Sequence, residues 1–378
     1  GTSLWIEGDS SYNVTLAGIA TVYSATGIVS ATSFYGDGSN LTGISGGGGF
    51  SQDDQGNLVA GTNAGASKDA DTCFNIMLGC NAGAALCGGY GNSILMGCDA
   101  GKSITTGGYN FLFGQRTGCN ITTGQQNIMM GNSNGRTITT GSCNIFFGKS
   151  IAGSGTGEHD NNIVMGAEAA YRLDTGDDNI ILGAQAGCDV SSGNRNIYIG
   201  KSSGANSTTG SDNIALGCCA MYSCAVTGSH NVFFGSYSGR KTESAGCNIA
   251  IGYKASEFME TGDFNVAIGA ESGGSTGSGV SGHCNVAIGK NALQQLTGGT
   301  RNVALGMKAG GGGGPGSRNV VIGTCAGWCG VKSDDTIAIG YFAGCMAADP
   351  TNGCGIFIGR YAGRAAAEGK AIMIGCEA

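Results

Sequence analysis

The chain has 378 residues, of which 75 are glycine and only 2 proline; 12% are charged and the formal net charge is -7. Glycine does not recur every third residue and the charge is low, which excludes a collagen-like or a disordered chain. An acidic balance without a basic stripe argues against nucleic acid and against an anionic membrane as partners. No apolar run approaches the roughly 18 residues that cross a bilayer, so membrane insertion is not expected.

Residues 1–45 carry short β-branched and aromatic runs, Asn13–Leu16, Ala20–Tyr23 and Ile28–Phe34, divided by Gly and Ser. They read as short strands of a small N-terminal attachment or trimerisation segment. Gly46–Gly49, four glycines in a row, open a flexible neck placed over 46–56.

From residue 57 to residue 378 one phrase recurs: Asn, three apolar residues, Gly. NIFFG at Asn144–Gly148 is one copy, and nineteen are found, beginning at Asn57, Asn75, Ser93, Asn110 and so on to Ala371, usually 17 or 18 residues apart. A repeat this short is one supersecondary unit that buries its apolar face only when neighbours stack on it. The triplet is too short for a helix and is closed by Gly, so each copy reads as a short strand ended by a turn. The fold class expected is all-β: a parallel β-solenoid (β-roll) of about 19 rungs with a 17-residue period. At a strand spacing of about 4.8 Å the shaft is roughly 90 Å long.

Side chains alternate along a strand. The outer two residues of each triplet are assigned to the chain's own core and the middle residue to the opposite face. That second row, Met77, Leu95, Leu112, Met129, Phe146, Ile181, Tyr198 and Phe233, is too apolar to face water as a contiguous stripe. It is therefore expected to be a trimer interface, and the change to Ala at Ala250, Ala267, Ala287, Ala304 and Ala338 is expected to narrow the fibre. Stacked rungs set Asn over Asn, and Asn127, Asn144, Asn162, Asn179, Asn196 and Asn213 are expected to form a structural amide ladder. Insertions at Gly273–Ser281 and around Pro315 and Pro350 are expected to form loops that leave the stack.

The 17 cysteines follow the repeat and lack zinc-site spacing. They read as small buried residues, with cross-rung disulfides as the alternative. Gly-Lys-Ser at Gly101–Ser103, Gly148–Ser150 and Gly200–Ser202 lacks the earlier glycine of a phosphate loop. His159, His230 and His283 have no recurring nucleophile or carboxylate partner and read as solvated turn residues. No catalytic, cofactor-binding or metal-binding residue is expected, and no enzyme.

The units NIAIG, NVAIG and NVALG, followed by Ala-Gly or Ser-Gly and Thr-Gly turns, resemble the head repeats of YadA-like trimeric autotransporter adhesins over Asn57–Ala378. GIVSATSFYGDGSNLTGI at Gly27–Ile44 resembles a phrase common in tail and fibre proteins of marine bacteriophages, whose fibres carry similar repeats. The resemblance implies a homotrimer of left-handed β-rolls. It departs in period, in lacking a heptad stalk or membrane anchor, and in cysteine content. What it implies for function is a phage tail fibre shaft in the virion, assembled in the host cytoplasm. Other tail or fibre proteins are then partners, and a receptor-binding tip contacts the host surface indirectly. The alternative is a bacterial surface adhesin or extracellular filament.

Overall fold

The computed structural model describes residues 51–378 except 90, 156, 224–225, 275, 277–278, 313, 315, 329–333, 346–353 and 365–370. The strands expected in 1–45, the four glycines of the neck and both prolines lie outside the described residues. Residues 48–378 form their own compact unit.

The first described residues correct the neck assignment. β1 (Ser51–Gln52) pairs antiparallel with β2 (Leu58–Ala60), and Asp53 Oδ1 accepts the Asn57 N–H at 2.8 Å. This short hairpin lies along the first rung, where an unpaired strand edge would otherwise begin.

Eighteen further three-residue strands follow β2 in chain order, from β3 (Ile76–Leu78) through β10 (Ile197–Ile199) and β15 (Val286–Ile288) to β20 (Ile372–Ile374). Each is parallel to its predecessor and pairs one full repeat away, as in Ile197↔Ile214 and Ile180↔Ile197. The register never slips across longer spacings: Val266 pairs with Val286 as Val286 pairs with Val303. Residues 57–378 are thus a parallel β-solenoid with a 17-residue period.

Burial inverts the expected faces. The middle residues Met77, Leu95, Leu112, Met129, Phe146, Ile181, Tyr198 and Phe233 are wholly buried inside a single chain, and so are not available as an intermolecular surface. The outer two residues of the triplet are half-exposed or exposed instead. Alternation fixes that two faces exist but not which one the rest of the rung closes over.

Counting from the Asn, residues 3, 8 and 12 fill the core in most rungs whose residue 12 is described, and in several their sizes compensate. Tyr198 and Phe233 lie opposite the small Ser207 and Thr242, whereas Ala250 and Ala287 share their rungs with Met259 and Leu296, all buried. Ala250 and Ala287 therefore do not mark a thinner fibre; larger partners fill the volume they leave, as close packing demands.

The Gly that closes each triplet has a structural reason. Gly217 has φ of +134°, and a Cβ there would sit 2.7 Å from the carbonyl carbon and oxygen of Gly235 in the next rung. Both the dihedral and the rung spacing exclude a side chain. Gly217→Val is expected to destabilise the shaft by about 3 kcal/mol or more, whereas Thr209→Val at an exposed turn stays near neutral. Equal melting temperatures for the two variants would overturn the rung packing described.

Candidate functional site

The surface that stands out is the outer face of the strands. All nineteen strands carry apolar residues at both outer positions, without one polar or charged exception. Parallel in-register pairing stacks them into two adjoining columns, so that Ile197, Ile214 and Val232 continue one and Ile199, Leu216 and Phe234 the other. Phe113 is 42% exposed, Met165 40% and Phe234 53%. A stripe about 90 Å long and two side chains wide covers roughly 900 Å². That exceeds the few hundred Å² typical of the largest apolar patch on a monomer and matches the roughly 800 Å² each partner contributes to a standard interface.

The sequence places the exposed apolar row at the middle residues, which the fold buries, although a signal to the contrary was present. Tyr198 and Phe233 go with small residues at position 12 and Ala250 and Ala287 with large ones, the signature of a shared closed volume. The outer residues are apolar in every copy.

The Asn column sits inside. Asn127, Asn144, Asn162, Asn179, Asn196 and Asn213 are fully buried. Nδ2 of Asn144 donates to Asn127 Oδ1 at 3.1 Å and to the His159 carbonyl, at the end of its own rung, at 2.8 Å. The backbone N–H of Asn144 donates to the same Asn127 Oδ1 at 3.1 Å. The pattern recurs at Asn127, Asn162, Asn179 and Asn196. At Asn213 the backbone N–H donates to Asn196 Oδ1 and Nδ2 donates to the Gly228 carbonyl. The ladder is a structural device and offers nothing to a ligand.

The cysteines differ from the expected buried thiols. Among the fifteen described, Cys345 alone is buried, while Cys80, Cys98, Cys143 and Cys247 are exposed and form no disulfide. They sit just outside the strand or in the turn before it, where side chains point outward. Among the described residues no three His, Cys, Asp or Glu side chains converge on a common point, and no helix is long and apolar enough to cross a membrane. The arginines mostly reach a carboxylate one rung away, as in Arg195–Asp212 at 2.7 Å and Arg318–Asp335 at 2.6 Å. Exposed pairs of this kind contribute little to stability.

His159 is a second correction. It is buried rather than solvated, its ring 5.9 Å from that of Phe146, with Nδ1 3.5 Å from Asn144 Oδ1. Burial pushes its pKa down to about 4, so the fold holds the neutral ring. Between pH 4 and the ordinary value near 6.5 the unfolded chain binds a proton that the folded chain refuses. His159 therefore lets stability stay full above about pH 6.5 and costs about 3 kcal/mol by pH 4. His159→Phe is expected to flatten that part of the stability curve, and an unchanged curve in denaturant titrations would contradict the assignment.

Comparison with known protein families, with characterised proteins and with solved structures returned no match, so the function rests on the geometry of the chain itself.

Proposed function

We propose that this chain is the shaft of a self-assembled fibre, a bacteriophage tail fibre that holds a host-receptor-binding tip away from the virion. The observation that carries this reading is the uninterrupted apolar stripe along one face of the solenoid. Each half-exposed side chain of this size gains roughly 1–2 kcal/mol on full burial, and dozens recur in register, so a partner surface of equal length is required. A second copy of the chain fits by chemistry and by spacing, because a stripe that repeats every rung meets an identical period in its own copy. Closure into a homotrimer, rather than a dimer, follows the resemblance to trimeric adhesin heads.

Placement in the virion draws on the phrase at Gly27–Ile44 and on the thiols. Exposed, unpaired cysteines suit a protein folded and assembled in a reducing host cytoplasm, whereas a secreted adhesin with so many thiols risks mispairing during export. The bacterial adhesin remains the second reading, favoured by the repeat phrase alone.

Sedimentation equilibrium is expected to give three chains per particle, and a stable monomer at micromolar concentration would sink the proposal. Phe234→Glu and Ile199→Glu introduce charge only on the exposed face. They should shift the particle toward monomers while leaving the β circular dichroism intact. Thiol titration of denatured, unreduced protein should find nearly all 17 cysteines reactive; few reactive thiols would reverse the ranking in favour of an extracellular filament.

A further inference from the structure

Across the core from the strand face, successive rungs build a concavity that the shaft role does not use. A cavity of about 400 Å³ is lined by Tyr222, Ser223, Arg240, Lys241, Glu243 and Glu260. Its volume falls within the range of small-molecule sites. Tyr222 and Arg240 are residue 10 of consecutive rungs, Lys241 is residue 11, and Glu243 and Glu260 are residue 13 of consecutive rungs. These positions flank residue 12, whose backbone lies opposite the strand: the Tyr198 hydroxyl crosses the core to Ser207 Oγ, 2.7 Å away. The cavity therefore faces away from the apolar stripe and stays open when the stripe is covered.

Arg240, Lys241 and Glu260 are held in place by their neighbours. Arg240 Nε lies 3.2 Å from Oε1 of Glu257, a carboxylate only 2% exposed, whose other oxygen is 3.6 Å from Lys254 Nζ. The Arg240 guanidinium also lies 5.8 Å and 5.9 Å from the ring centroids of Tyr237 and Phe258, and Lys241 Nζ lies 4.7 Å from that of Phe258. Glu260 Oε1 accepts the Gly279 N–H at 2.9 Å, and the Glu243 N–H donates to the Glu260 carbonyl at 3.0 Å. Groups held this way lose little freedom when a ligand arrives. Tyr222, 43% exposed, presents a phenol ring at the rim.

We propose that this cavity binds one pyranose unit of an uncharged saccharide. Two cations and two carboxylates line it, so the charges cancel and neither an anion nor a cation is selected. The groups supply separate donors and acceptors, and a sugar hydroxyl both donates and accepts. The Tyr222 ring offers a negatively polarised face to the C–H face of a pyranose. The inference rests on the proposed fibre only for the statement that the site points outward in the assembly.

Saturation-transfer NMR with methyl β-glucoside, methyl β-galactoside and methyl α-mannoside, each at about 10 mM, tests it. At least one is expected to receive saturation, strongest on ring C–H protons. Tyr222→Ala and Lys241→Ala should each weaken binding by about tenfold, while Lys290→Ala, exposed and outside the cavity, should not. Both Tyr222 and Lys241 lie outside the core, and two independent variants keep the test meaningful if one folds poorly. No transfer from any of the three sugars, or equal transfer with both cavity variants and the parent, would overturn the proposal. Sedimentation of the same samples separates the two claims: sugar binding by a monomer keeps the site and removes the assembly.

Discussion

The amide ladder is the constraint on which the other features depend. In most rungs the start of the strand is tied to the end of its turn, and the buried Asn makes that tie. Its Nδ2 reaches its own turn carbonyl while its Oδ1 takes two donors from the next rung. A buried amide left half-satisfied would cost about 1–3 kcal/mol. The column therefore sets both the closure of each rung and the register between rungs. Ser93 shows the tolerance of the scheme, since its backbone N–H reaches Asn75 Oδ1 at 2.9 Å and its hydroxyl accepts the Asn110 N–H at 3.1 Å.

Spacing between rungs follows from that tie. With strands fixed at ladder distance, the residue closing each triplet faces its equivalent one rung away, and only Gly fits. Turn residues such as Tyr109 and Arg116 hold left-handed φ values of +58° and +55°. Such strain is of order 1 kcal/mol per residue, and the continuous inter-rung hydrogen bonds offset it. With the interior set by Asn, small residues and apolar side chains, the outer strand residues stack on one another along the surface and stay half-exposed or exposed. Their uniform apolar character is what the proposed self-assembly accounts for.

The two sides of the rung differ in character. One side is a flat apolar face suited to a second copy. The opposite side carries the polar, variable turns, and over residues 222–260 these gather aromatic rings, cations and carboxylates into one concavity. A periodic scaffold holds such a group at fixed height without altering the packing below it.

The sequence alone determined the repeat, the strand at each copy, the parallel stacking, the Asn column and the closing Gly, because each reflects local geometry repeated at constant spacing. The tertiary structure decided which face of the strand is interior. A period of two distinguishes faces but does not label them, and only closure of residues 8 and 12 over Met77 through Phe233 did so. It likewise decided that His159 is buried, that most described cysteines face outward and that residues 51–56 pair with the first rung. Each of these depends on what the next rung places beside a residue, and spacing along one chain does not encode that.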